Sequence, residues 1–408
     1  MFTLIYNETK KLLFRKKTLV VFVGFLLLMG VLAFAMNRES ERSIKESKPE
    51  QRIARLNEQK KYIQRSIADR ETELKNDPKT LEQFKQNRED ELKQIDIQIS
   101  RYEEIIKKGG QIDWREDLKE RIKNTEVSLN DGNMPQEFKE SQKLELERLQ
   151  YLQKHDIKPM DNNQFDAPTF IMVLFSILGT VFLVVGVLVF ACDMVSGECT
   201  PPTLKFLLIQ PVSRGKVLFS KFISVTLAAV VLIVSAELLF FTVIGLTKGF
   251  GNMSYPVFSG TLYKFDMANL NPEGLPNLVQ VANSTKIITL GQNLLQMFML
   301  QILFIVACSA FAFLISTLFK SSMVSMALGI VSVITVTVLT NAISSLKKIA
   351  HYLFTSYGDV GMILEGSKAR SFMNPSMTTN NAIIVLVAWT VVCYLISHII
   401  FTKKDILI

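Results

Sequence analysis

Residues 198–214 read Glu-Cys-Thr-Pro-Pro-Thr-Leu-Lys-Phe-Leu-Leu-Ile-Gln-Pro-Val-Ser-Arg, a polar stretch marked by three prolines. This stretch lies between two long apolar segments, residues 170–190 and 222–246. A charged linker that joins two segments of this kind stays outside the bilayer, because charged side chains are costly in hydrocarbon. The pattern therefore predicts an exposed loop that can dock on a partner.

The apolar segments predict an integral membrane protein. Each has about 19 to 25 residues with few charges, which is the length that a helix needs to cross a bilayer. Six of them occur, so both chain termini lie on the same side of the membrane. The segments are 18–36, 170–190, 222–246, 294–318, 323–342 and 382–401.

Lysine and arginine residues indicate which side of the membrane each loop occupies. Cytoplasmic loops are enriched in these residues. On that rule both termini are cytoplasmic, and the region between the first two spans is outside. The cations that favour this orientation are Lys10, Lys11, Arg15, Lys16, Lys17, Lys205, Arg214, Lys216, Lys221, Lys320, Lys403 and Lys404.

An alternative for the N-terminus is a cleaved secretory signal. A basic region, an apolar run and the small-residue sequence Ala33-Phe34-Ala35 resemble such a signal. The apolar run has about 19 residues, however, whereas signal peptides use about 7 to 15. The sequence therefore favours a retained membrane anchor.

The positive charge of the chain belongs to its membrane part. Residues 38–166 hold 27 basic and 29 acidic residues, a net charge of −2, although the whole chain carries +8. Membrane topology and anionic lipid headgroups account for the remaining excess. Nucleic acid is not expected as a partner, because the chain has no binding motif for it.

Residues 38–166 are predicted to form an extracytoplasmic helical domain with coiled-coil character. Two amphipathic runs suit an antiparallel hairpin that turns near residues 76–78, and two shorter helices follow. The predicted organisation is an N-terminal helix and first span in 1–37, this domain in 38–166, and a five-span core in 167–408 with a coupling linker in 191–221. The apolar positions of the first run are Ile53, Leu56, Ile63, Ile67 and Leu74.

Catalytic and metal-binding patterns are weak throughout the chain. His155, His351 and His398 are far apart in sequence, and Cys192 and Cys199 have no histidine nearby, so no metal site is expected. Cys308 and Cys393 are expected to be small buried apolar residues. Residues 361–368 only superficially resemble a phosphate loop, because the lysine is one place late and no Ser or Thr follows. We therefore expect no enzymatic activity and no bound cofactor in this chain.

The order of a basic amphipathic start, six spans, a large loop after the first span and a patterned linker after the second resembles the permease subunits of bacterial ABC type-2 exporters. One departure is Thr200-Pro201-Pro202-Thr203, where many family members have Gly-Thr after the glutamate. The linker residues that match the family pattern are Glu198, Leu207, Leu208, Pro211, Ser213, Arg214 and Lys221.

The resemblance implies a multi-pass protein of the bacterial plasma membrane that exports an amphiphilic substrate, such as an antimicrobial peptide, a drug or a lipid-like molecule. It implies a coupling helix in the linker, with Glu198, Pro211, Arg214 and Lys221 in ATPase coupling. The ATPase is a separate cytoplasmic subunit that binds ATP and Mg. A second permease subunit, identical or related, completes the membrane pathway.

Two further segments show helical amphipathicity. One is the N-terminal stretch, suited to lie along the inner membrane interface with an apolar face that includes Phe2, Ile5 and Leu12. The other spans residues 349–363 before the last apolar segment, where the spacing predicts an interfacial or re-entrant outer helix.

Glu237 is the sole carboxylate well inside a predicted span. A charge there costs about 2.5–3.5 kcal/mol on insertion scales, so its side chain must face protein, water or a polar partner. It is either a substrate or proton contact or a hydrogen-bonded structural residue. Thr335, Thr337, Thr340 and Asn341 of the fifth span are candidate partners.

Another class of function also fits the sequence: a membrane sensor or assembly protein that does not transport, whose outer coiled coil recruits a partner. An integral membrane enzyme fits less well, because catalytic groups are not clustered. A neighbouring reading frame for an ATPase would favour the exporter, and one for a histidine kinase would favour the sensor.

Overall fold

The computed structural model describes residues 1–73, 78–107, 113–130, 136–161, 164–198, 212–270 and 276–403. Six helices in this part of the chain are long and apolar enough to cross a membrane, which confirms the prediction of six spans. From first to sixth, the spans are Lys16–Ser47, Ala167–Glu198, Arg214–Lys248, Leu290–Leu318, Ser322–Ala342 and Thr379–Lys403.

The fourth span is the centre of the bundle. In the most apolar 18-residue stretch of this span 56% is buried, compared with 50% for the second span and 6% for the first. Its small residues Ala307, Ala310 and Ala312 are fully buried, which lets neighbouring helices approach closely. The second, third, fifth and sixth spans all pack against it. The first span is therefore a peripheral helix with most of its surface open to lipid.

The second span is not a uniform helix. An α-helix over Ala167–Ile177 continues as a π-helical segment over Leu178–Phe182, then as an α-helix over Leu183–Ala191. A short 3-10 turn over Ser196–Glu198 ends the described part of the span. Single π-helical turns of this kind are frequently found at functional sites in other proteins.

Four helices lie between the first two spans. Their bounds are Pro49–Glu73, Pro78–Lys107, Trp114–Leu129 and Gln136–Lys154. The first two run antiparallel, since Lys60 pairs with Asp96 at 2.6 Å and Lys85 pairs with Glu71 at 2.5 Å. The predicted turn near residues 76–78 lies mostly outside the described residues.

The strands between the third and fourth spans were not predicted, because the sequence led us to expect a wholly helical chain. Strand β1 (Pro256–Ser259) pairs antiparallel with β4 (Lys286–Thr289), and β2 (Tyr263–Leu270) pairs antiparallel with β3 (Pro276–Gln280). These short two-stranded pieces follow the C-terminal end of the third span. The guanidinium of Arg148 lies 5.5 Å from the ring centre of Phe258, which joins the inserted helices to this region.

The predicted amphipathic helix at residues 349–363 is broken into short pieces. Two 3-10 turns are followed by helices over Val360–Glu365 and Ser367–Ser371, with Gly366 between them at a left-handed φ of 94°. Burial raises the pKa of Tyr357 to about 12, so its hydroxyl stays protonated and donates to the His351 carbonyl at 2.7 Å. Of the periodic side chains, Tyr357, Val360 and Ile363 are buried, whereas Ile349 and Tyr352 are exposed.

Candidate functional site

A buried cluster of charges lies where the second span meets the linker. The Lys221 ammonium donates to both Glu8 carboxylate oxygens at 3.0 Å and to Glu198 Oε1 at 2.8 Å. Lys11 Nζ also contacts Glu198 Oε1, at 2.7 Å. The Lys221 side chain is 0% exposed and that of Glu198 is 2% exposed. These four residues, Glu8, Lys11, Glu198 and Lys221, are called the charge cluster below; Lys11 lies at its edge, with 46% of its side chain exposed.

The N-terminal helix, Phe2–Leu13, brings two members to the cluster. Glu8 shares a face with Leu12 at i+4 spacing, and both are buried. Two hydrogen bonds fix this helix in place: Ser224 Oγ donates to the Ile5 carbonyl at 3.0 Å, and Thr18 Oγ1 donates to the Leu12 carbonyl at 2.6 Å. The helix is therefore held against the start of the third span.

The opposite face of the same helix is apolar and exposed. Phe2 is 89% exposed and Tyr6 is 65% exposed, and Leu13 continues this face. A helix with one face on protein and an apolar face turned outwards suits the membrane interface, where aromatic side chains are favoured. The helix that the sequence predicted is thus present, although its apolar residues divide between two environments.

A second set of ion pairs joins the first span to the same region. Asp193 lies just beyond the α-helical part of the second span and contacts Lys17 Nζ at 3.0 Å and an Arg15 guanidinium nitrogen at 3.7 Å. Arg15, Lys17 and Asp193 are all partly exposed, so the pairs contribute less to stability than buried ones do. Their effect is to fix the start of the first span beside the end of the second.

Serine hydroxyls attach the end of the second span to two more helices. Ser316 Oγ of the fourth span accepts hydrogen bonds from the backbone nitrogens of Val195 and Ser196, at 3.0 and 3.1 Å. Ser325 Oγ of the fifth span donates to the Cys192 carbonyl at 2.8 Å. The point where the linker begins is therefore bonded to the N-terminal helix and to four other spans.

The predicted coupling residues fall into three groups. Glu198 and Lys221 come together in the charge cluster and are buried. Arg214 begins the third span and is exposed. Pro211 lies outside the described residues, as do Leu207, Leu208 and Cys199. The geometry thus separates residues that hold the linker in place from one that can face a partner.

Glu237 lies in the third span and contacts the fourth span instead of the fifth. Gln301 Nε2 donates to Glu237 Oε1 at 2.6 Å, and both side chains are buried. The predicted partners were wrong: Thr340 and Asn341 donate to carbonyls of their own helix. A sequence gives helix faces but not which helices are neighbours, so the choice of span could not be made from it.

Several residues of the site were missed by the sequence analysis. Glu8 carried a signal, because it is an acidic residue on the helix face that also contains Ile5 and Leu12. Ser316, Ser325 and Gln301 carried none, since single polar residues in apolar helices are common. Within the described ranges, no three His, Cys, Asp or Glu side chains are close enough to hold a metal ion.

These features define a multi-pass helical membrane protein whose polar linker is fixed at both ends by buried charges. The chain belongs to the ABC-2 family of transporter proteins, because the model of that family matches residues 2–406. Membership implies a membrane location and ABC ATPase partners. No curated protein matches the chain.

Proposed function

We propose that this chain is the permease subunit of an ATP-binding cassette exporter and transmits ATP hydrolysis by a separate cytoplasmic subunit to the membrane helices. The observation that carries this proposal is the charge cluster with its neighbouring serine hydrogen bonds. A displacement of the linker pulls on Glu198 and Lys221, which are bonded directly to the N-terminal helix. Packed, hydrogen-bonded helices move as rigid bodies, so this motion reaches several spans together.

ATP hydrolysis is assigned to the partner, which binds ATP and Mg. This chain carries no phosphate-loop sequence. The permease contributes no catalytic residue in this proposal. It pairs with a second permease subunit, and a homodimer and a heterodimer both fit the proposal.

An apolar groove supports the proposal that the substrate is amphiphilic. It has a volume of about 260 Å³ and lies between the first three spans. Gly24 and Gly186 line it with open space beside them, whereas Phe25, Phe182 and Leu232 form apolar walls. The hydrocarbon part of an amphiphile suits such a lining, because moving apolar surface from water to an apolar environment is favourable. Stimulation of ATP hydrolysis by amphiphiles in the purified complex tests this substrate class.

Charge reversal at Arg214 tests the docking surface. Arg214→Glu changes an exposed residue outside the buried cluster, so we expect normal insertion in the membrane and a loss of ATPase subunit on co-purification, since a reversed charge opposes a complementary surface. Lys320→Glu, at the other predicted cytoplasmic loop, is the matched control for a change of net charge. Equal recovery of ATPase with Arg214→Glu and wild type would contradict the assignment.

The orientation that we propose places both termini on the cytoplasmic side of a bacterial plasma membrane and the helices of residues 49–154 on the outer side. In a cysteine-free background, Ser66→Cys should react with an impermeant maleimide on whole cells, and Ser213→Cys should react only after the cells are opened. Both serines lie outside the apolar windows, so neither change disturbs insertion. If Ser213→Cys reacts on whole cells and Ser66→Cys does not, the proposed orientation is wrong.

A further inference from the structure

Glu237 and Gln301 form an isolated polar pair within the membrane-spanning bundle. Their side chains are on the third and fourth spans, with 0% and 2% of each residue exposed. One hydrogen bond joins them, from Gln301 Nε2 to Glu237 Oε1 at 2.6 Å. Glu237 Oε2 and Gln301 Oε1 are buried and have no hydrogen-bond partner among the described residues. Two buried acceptors thus lack a donor.

Among the described residues, the Glu237 carboxyl forms no ion pair, and its hydrogen-bond partner is the neutral amide of Gln301. On its own helix the nearest cations in sequence are Lys248, roughly 16 Å away along the axis, and Lys221, roughly 24 Å away. Lys221 is paired within the charge cluster. Lys248 contacts Glu41 of the first span at 3.4 Å.

The elements packed against the third span supply no counter-ion at this depth. The fourth span contains no Asp, Glu, Lys, Arg or His, and its titratable side chain is Cys308. The ring of His398 on the sixth span lies beside Gly215, at the cytoplasmic end of the third span. The remaining ionisable side chains on these elements are Tyr6, Glu8, Lys10, Lys11, Lys16, Lys17, Arg38, Glu39, Glu41, Arg42, Lys45, Glu46, Cys192, Asp193, Glu198, Cys393, Tyr394 and Lys403.

We propose that Glu237 and Gln301 form a proton-binding site that holds the Glu237 carboxyl neutral between the third and fourth spans. An ionised carboxylate buried without a cation is strongly unfavourable. A proton on Glu237 Oε2 removes that charge and supplies the missing donor. Gln301 Oε1 is the acceptor, because a carboxylic acid and a primary amide can form a ring of two hydrogen bonds.

One of the two bonds in this ring is already present, from Gln301 Nε2 to Glu237 Oε1. The terminal torsions of Glu and Gln are broad, so a small rotation brings the second pair of atoms together. A single proton therefore satisfies both buried oxygens. The site joins two spans without a net charge in the bilayer, and it does not depend on how the linker docks.

Infrared spectroscopy of the full-length protein in lipid nanodiscs tests the protonation state. The wild type should show the carbonyl band of a protonated carboxyl group at neutral pH, and Glu237→Gln should lose it. Asp193→Asn, which removes an ion-paired carboxylate near the inner end of the second span, is the control and should retain the band. A spectrum unchanged by Glu237→Gln, or a Glu237 carboxylate band that shifts on addition of Na⁺ or K⁺, would overturn the proposal.

Two more variants keep the test decisive. Glu237→Gln preserves the ring as an amide pair and should melt at the wild-type temperature, whereas Glu237→Leu leaves Gln301 unpaired and should melt lower. Equal destabilisation by both changes would refute a neutral site. Gln301→Leu should shift the acid band to the higher frequency of a free carbonyl, and an unshifted band would refute the ring. The wild-type band and the Gln301→Leu shift decide the matter even where Glu237→Gln fails to fold.

Discussion

Gly179→Ala is expected to destabilise the protein by about 3 kcal/mol or more, because a well-packed interior tolerates added volume poorly. Gly179 lies in the π-helical segment of the second span. A Cβ atom there would overlap the carbonyl oxygen of Gly358, and a Cβ on Gly358 would overlap the carbonyl oxygen of Gly179. Both obstacles are backbone atoms, which cannot rotate away as a side chain can.

Gly186→Ala is the matched control for this prediction. Gly186 lies on the same span, and a Cβ there meets no atom within 4 Å. Alanine is favoured over glycine in a helix interior, so the control should be neutral or slightly stabilising. Thermal unfolding in detergent and the amount of protein in membranes measure both effects. Equal melting temperatures for the two variants would contradict the close backbone contact.

The Gly179–Gly358 contact also shows why the segment at residues 349–363 was mispredicted as one helix. Helical spacing of apolar residues indicates burial on one side, and Tyr357, Val360 and Ile363 are indeed buried. The pattern does not report that the chain must pass backbone to backbone against another span. Asp359 stabilises the break, since it accepts from Ser176 Oγ at 2.8 Å and caps the next short helix.

The six spans could be predicted from sequence because hydrocarbon imposes a length and an apolar composition on each. The short strands at 256–289 could not, since strands of four to eight residues carry weak signals next to the spans. At the candidate site, the linker pattern indicated Glu198 and Lys221. It could not indicate Glu8, about 190 residues from Glu198 in sequence, because contacts across such separations depend on the packed fold.

The burial of Glu198 and Lys221 changes how the linker pattern is interpreted. Resemblance alone assigned both residues to coupling with a partner, but the side chain of Lys221 is 0% exposed and bonds two carboxylates. We infer that these two residues position the linker, whereas exposed residues such as Arg214 meet the ATPase. Substitutions in the two groups should then differ in one respect: only the buried group should alter the stability of the permease itself.

Lys221→Met is expected to release the N-terminal helix and to weaken ATPase binding together. The change leaves the Glu8 and Glu198 carboxylates buried without the ammonium between them, and breaking a buried pair in this way costs about 3–5 kcal/mol. Methionine retains most of the side-chain volume, so the loss arises from charge. Limited trypsin digestion reports release of the helix: Lys10 and Lys11 are already exposed, but cleavage after them requires the helix to unfold locally. Co-purification of the ATPase subunit reports the effect on coupling.

Lys216→Met is the control, because Lys216 is on the same helix but is exposed. It should leave cleavage after Lys10 and Lys11 and the melting temperature unchanged. Glu8→Gln added to Lys221→Met removes one of the two unpaired carboxylates, so the double variant should recover part of the lost stability. A double variant no more stable than Lys221→Met, or faster digestion of the Lys216→Met protein, would show that the buried charges do not hold the N-terminal helix. If both stability and ATPase recovery increase in the double variant, the charge cluster connects the N-terminal helix to the linker, because both then depend on the same ammonium group.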